Sequence, residues 1–310
     1  MSSLFRSSRC ALFALVLISA ARQASDAQGR RRSNNDYLSR GDTTLSFDKN
    51  GTLTVTASNG NVSVVGWSRD QLQVRTSGNA DVRFDGSSNR LTITARRGDG
   101  TIDISLPIGA KVNASTHSGN VTIRGTRGPV DAHATNGSVE VDDVANRVDL
   151  STFSGDVSAS NVNGDAKLET ISGGIKLHDA RGSIDATTVS GDIDLIGITS
   201  KSVRAKTTSG EVVFDGLVDP SGHYDLGTHS GDVRLRVQRD ASAQLSVSTW
   251  SGSVDSQFPI TLKPGEQRIG TLNAKRFTFE IGGGSARITA DTFSGDITIS
   301  SNGHGANTRR

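Results

Sequence analysis

The chain has 310 residues, with glycine abundant (35) and proline, methionine, tryptophan and tyrosine scarce (5, 1, 2 and 2). At 34% hydrophobic and 5% aromatic it lacks the bulk for a wide globular core, whereas a narrow core repeated along an axis needs only small β-branched side chains. A net charge of +2, from 34 basic and 32 acidic residues, leaves no footprint for a nucleic-acid partner.

The first segment reads as a cleaved secretory signal peptide over residues 1–27. Arg6 and Arg9 precede an apolar run from Ala11 to Ala21, too short to span a bilayer, and small residues such as Ser25-Asp26-Ala27 follow. The expected location is therefore outside the cytoplasm: periplasm, outer surface or extracellular space. The only cysteine, Cys10, lies ahead of the apolar run rather than at a cleavage point, so neither lipid anchoring there nor a disulfide is expected. No later stretch is apolar enough to be a transmembrane segment. Residues 28–42, with Arg30, Arg31 and Arg32, read as a flexible polar lead-in.

From there a pair of apolar residues separated by one residue recurs. The first members Val121, Val130, Val139, Val148, Val157, Ala166, Ile175, Ile184 and Ile193 are nine residues apart throughout. The pattern extends upstream with slips through Leu53/Val55, Leu72/Val74, Val82/Phe84 and Leu91/Ile93, and downstream through Val203/Ala205, Val212/Phe214 and Val233/Leu235. Period-two alternation is a strand signature, and no stretch has helical periodicity.

Every second turn carries Ser-Gly or Asn-Gly: Ser118-Gly119, Asn136-Gly137, Ser154-Gly155, Ser172-Gly173 and Ser190-Gly191, with glycines eighteen apart. Two strands and two unlike turns per eighteen residues describe one coil of a single-stranded parallel β-solenoid, or β-helix, expected to be right-handed. An antiparallel sandwich of hairpins is the competing arrangement. Outward residues eighteen apart, such as Asp149, Lys167 and Asp185, mostly alternate in sign, as stacked coils favour. The solenoid is expected over residues 43–300, with an irregular excursion at 256–283, where Pro259, Pro264 and Gly282-Gly283-Gly284 break the period, and a disordered tail at 301–310.

The unit Thr-x-Ser-Gly-Asp-Val/Ile recurs at Thr152–Val157, Thr188–Ile193, Thr228–Val233 and Thr292–Ile297. In this it resembles the bacterial putative-adhesin family of β-strand-repeat proteins, a domain of unknown function. The resemblance implies a non-enzymatic cell-envelope repeat protein, acting as an adhesin-like interaction or scaffold module, and offers no catalytic residues to carry over.

Read by themselves, the residues suggest no catalytic site and no cofactor. The six histidines are scattered, and the serines occupy every turn for conformational reasons. The alternative function is a polysaccharide-active enzyme, a lyase or hydrolase, which needs convergent carboxylates on one patch. Asp192, Glu211 and Asp232 follow Ser-Gly in consecutive coils and are candidates for a calcium ladder, against the simpler reading that each such acid accepts N–H groups in its own turn. The residue before each Ser-Gly forms a row: Phe153, Ile171, Val189, His229, Trp250 and Phe293. Facing solvent, it is a surface for an envelope partner or for self-association. Packed inward, which is the expectation here, it fills the corner of the core and leaves the preceding threonines outside.

Overall fold

The computed structural model describes residues 37–97, 99–259, 261–262 and 275–302, so the signal segment, part of the excursion and most of the tail lie outside the described residues. Within them the chain forms strands, from Tyr37–Ser46 to Ile297–Ser301, and no helix. No helix among the described residues is long and apolar enough to cross a membrane.

Strands next but one in the sequence pair in parallel. On one face Val121, Val139, Val157, Ile175 and Ile193 lie opposite one another in turn, and on the other Val130, Val148, Ala166 and Ile184 do the same. The register follows from the pattern: a slip of one residue would swing every inward Val, Ile and Leu to solvent. The side chains between the two sheets are almost fully buried, and most are Val, Ile, Leu or Ala. Larger rings enter the core at Phe47, Phe214 and Tyr224, where Phe214 meets Tyr224 edge-on at 5.5 Å.

At both ends the stacking departs from sequence order. The strands Thr52–Asn59 and Asn61–Trp67 lie between the coil Arg90–Arg97/Thr101–Pro107 and the coil Lys111–Ser118/Val121–Thr126. Likewise Ala286–Ser294 and Ile297–Ser301 are inserted between His223–Ser230/Val233–Val237 and Ala243–Ser251/Val254–Ser256. Neither end is purely parallel, which corrects the expectation of uniform coils. Leu72/Val74 and Val82/Phe84 belong to one long strand, Gln71–Gly86, antiparallel to Thr101–Pro107 through its first half and to Arg90–Arg97 through its second. Tyr37–Ser46 covers that strand in turn, so pairing begins inside the segment read as a lead-in. Lys275–Ile281, within the excursion, runs antiparallel to Ala243–Ser251. The physical reason is the open ladder of an end coil, whose unpaired N–H and C=O groups are satisfied by a strand laid across them.

Candidate functional site

Each Ser-Gly turn is a tight corner stacked on the corner of the next coil. Gly155 has φ of 143°, and a Cβ there would lie 2.3 Å from the Gly137 carbonyl oxygen, so only glycine fits. The threonine three residues before each such glycine satisfies that carbonyl row. Thr152 donates its hydroxyl to Gly137 O (2.9 Å), Thr170 to Gly155 O (3.0 Å), Thr228 to Gly210 O (2.9 Å) and Thr292 to Gly231 O (2.9 Å). These threonines are buried, Thr152 at 5% and Thr249 at 1% exposure.

Alternation then points the next residue outward. The expectation that the row packs inward, with the threonines outside, is therefore reversed. Phe153, Ile171, Val189, Trp250 and Phe293 are 55%, 43%, 46%, 41% and 48% exposed, and His229 is exposed as well. At the corner the inward place goes to the residue whose hydroxyl meets the stacked glycine carbonyl.

The interleaved coil rearranges the row. Ser230 pairs with Ser294 and Ser294 with Ser251, so Phe293 stands between His229 and Trp250 rather than after them. Its ring stacks on His229 at 4.8 Å between centroids and on Trp250 at 5.8 Å, with the planes within 12° of parallel. The row thus has two blocks, Phe153–Ile171–Val189 and His229–Phe293–Trp250, with Thr208 between them.

Alongside the aromatic block runs a depression of 630 Å³, lined in part by Lys206, Gly227, Asp291 and Arg276. Gly227 supplies no side chain at its register position, and Lys206 reaches across that gap to bind both Asp225 (2.7 Å) and Asp291 (3.1 Å). Sequence reasoning did not single out these polar residues, because outward charges on a repeat look alike until the register shows which stand beside the rings.

The acidic position after Ser-Gly behaves differently from either sequence reading. Asp156 accepts the N–H of Gly174 (2.8 Å), Asp192 that of Glu211 (2.8 Å) and Asp232 that of Asp296 (2.9 Å). Each carboxylate caps the corner of the adjoining coil, not its own turn, because parallel stacking brings that N–H within reach. Of the calcium-ladder candidates, Glu211 forms an ion pair with Arg234, which also lies 3.7 Å from Asp232. Burial raises the Glu211 carboxyl above its ordinary value; Arg234 opposes this, and the neighbouring Asp232 and Asp192 add to it. Among the described residues no group of three or more His, Cys, Asp or Glu side chains is arranged to hold a metal ion.

The family model described as Toastrack DUF4097 matches residues 100–216 and, a second time, 195–300. No curated protein matches the chain. Several solved structures align over most of it. One is a putative lipid binding protein from Parabacteroides distasonis ATCC 8503, with 10% identity over 85% of this chain and 96% of that chain, at a TM-score of 0.41. A putative adhesin from the same organism has 14% identity over 86% and 98%, at 0.39. A putative cell adhesion protein from Clostridium sporogenes ATCC 15579 has 10% identity over 85% and 100%, at 0.21.

Proposed function

The chain belongs to the Toastrack DUF4097 family, and from that membership we propose that it is an exported, non-catalytic repeat module whose outward row contacts a partner in the cell envelope. The single observation that carries this reading is the exposure of Phe153, Ile171 and Val189 on three successive coils and, beyond the Thr208 coil, of His229, Phe293 and Trp250 on three more. Apolar residues placed singly on a surface are ordinary, whereas blocks of three stacked one above another and bordered by polar groups have the anatomy of a contact surface. The coil that presents it is read as an eighteen-residue, right-handed unit, so the row repeats at the strand spacing of about 4.8 Å.

The test is capture from an envelope extract by the immobilised chain. The parent should retain proteins that the double variant Phe153→Ser/Trp250→Ser loses, with both proteins melting alike. Equal retention by the two removes the row from the function.

A further inference from the structure

The other turn of each coil carries a second feature, built without any residue of the Ser-Gly row. Through the middle of the chain this turn closes on a residue with positive φ: Gly125 (66°), Asp143 (53°), Asn161 (54°), Asp179 (52°) and Gly197 (71°). Asn and Asp tolerate that conformation best after glycine. The next turn, over residues 215–222, contains no positive-φ residue. Register slips where Ile196 and Ile198 meet Asp215 and Gly216, and the chain continues through exposed Leu217, buried Val218 and Asp219 before strand pairing resumes at His223.

This widened turn is held from beneath. The buried Tyr224 hydroxyl donates to Ser200 O (2.7 Å) and accepts the N–H of Asp219 (2.8 Å). The Gln238 amide meets both the N–H and the C=O of Val218, at 2.8 and 2.9 Å. The result is a cleft of 1060 Å³ whose exposed aliphatic walls are Ile196 and Leu217, with Ile198 and Val218 buried beneath them. Ile196 and Leu217 are 38% and 44% exposed, an arrangement that costs free energy unless something covers them.

The rim is acidic. Asp179, Asp215, Asp219 and Asp240 all line the cleft, and Lys201 is its only cationic lining residue. Arg236 lies 3.9 Å from Asp215 and Lys201 3.9 Å from Asp219, while Asp179 and Asp240 have no ion-pair partner among the described residues. An anionic amphiphile would meet like charge at this rim; a cation would meet two unneutralised carboxylates.

We propose that this cleft binds a small cationic amphiphile, with an aliphatic chain against Ile196 and Leu217 and a positively charged amine at the acidic rim. The volume is of the size that encloses a ligand of this kind, and the aliphatic lining supplies affinity while the carboxylates select the sign of the head group.

Calorimetric titration of the full chain with dodecyltrimethylammonium, below its micellar concentration, tests this. One saturable site is expected, with the octyl homologue binding at least roughly tenfold more weakly because four methylenes fewer are buried. Asp179→Asn/Asp240→Asn, which touches only exposed carboxylates, should weaken binding about fivefold. Ile196→Ser/Leu217→Ser should weaken it by roughly tenfold or more. Equal affinity for dodecyl sulfate, absence of a saturable site, or unchanged affinity in the asparagine double variant each overturns the proposal. Because Phe153 and Trp250 take no part, the variant that tests the outward row should bind the ammonium probe as the parent does.

Discussion

Gly155→Ala should be among the most damaging single-methyl additions to the chain, while Gly174→Ala, one coil further on, should be harmless. At Gly155, with φ of 143°, the new Cβ would sit 2.3 Å from the Gly137 carbonyl oxygen and 2.6 Å from its carbon. The backbone strain alone is about 1–3 kcal/mol. Relieving the clash moves the carbonyl that accepts the Thr152 hydroxyl at 2.9 Å, and the Gly155 carbonyl accepts Thr170 at 3.0 Å, so two corner bonds suffer. At about 1 kcal/mol per hydrogen bond, the total is roughly 3–5 kcal/mol, a large part of a typical stability of about 5–15 kcal/mol. At Gly174 the nearest atom to a built Cβ is Asp192 O at 3.5 Å, ordinary contact, and no positive φ is involved. There the substitution should gain about 0.4–1 kcal/mol through the unfolded chain. Urea unfolding followed by far-ultraviolet circular dichroism gives both midpoints. If the two variants shift the midpoint equally, or if Gly155→Ala costs less than about 1 kcal/mol, the stacked-glycine account of the corner is wrong.

Gly174 also interrupts the row of side chains that cap the adjoining coil, since it stands where Asp156 and Asp192 stand in neighbouring coils. Gly174→Asp should therefore stabilise the chain by about 1 kcal/mol, read as a higher urea midpoint, unless the aspartate fails to reach the Asp192 N–H. Tyr224→Phe strips the buried hydroxyl from Ser200 O and the Asp219 N–H and should cost about 1–3 kcal/mol in the same assay; a cost near zero would show that the widened turn does not depend on it. The Ser160 hydroxyl, and after it the Asn161 amide, holds the Asp142 carboxyl below its ordinary value. A depressed folded-state pKa stabilises above the unfolded value and loses that contribution as pH falls through the folded one. Asp142→Asn should accordingly be less stable than the parent at neutral pH and converge with it in acid; a deficit independent of pH would contradict the assignment.

Much of the fold was legible because one rule repeats: inward Val, Ile and Leu at period two, with a turn at a constant interval. Register followed directly, as Val139 opposite Val157 and Leu150 opposite Leu168 show. The ends were not legible. Leu72/Val74 and Val82/Phe84 have the same local pattern as any coil, and whether such a pair runs parallel or antiparallel to its neighbour depends on pairing partners far away in the sequence. Nor does Ala286–Ile288 announce that it enters between two earlier coils. The row at the corner was found but turned the wrong way. Phe153 and Thr152 differ by one position, and hydrophobicity favours burying the ring; the deciding fact is the Gly137 carbonyl, which the Thr152 hydroxyl satisfies and a phenyl ring could not. The apolar cleft leaves only a faint trace, the lengthened spacing from Val212 to Tyr224, and no composition signal distinguishes it from a loop.

The inserted C-terminal coil constrains how the chain can be made. The Asp232 carboxylate accepts the N–H of Asp296, 64 residues later, while middle corners such as Asp156 and Gly174 meet across 18. During synthesis from the N-terminus the central coils can zip onto one another as they emerge. The strands Ala243–Ser251 and Val254–Ser256, however, appear before the strands that must separate them from His223–Ser230 and Val233–Val237. Once Ser256 has emerged and until the last strands follow, that coil lacks its proper neighbour, and the edge of His223–Ser230 and Val233–Val237 is open to it out of order. Completion of the domain has to wait for the last strands, placing the slowest, highest-contact-order step at the C-terminal end.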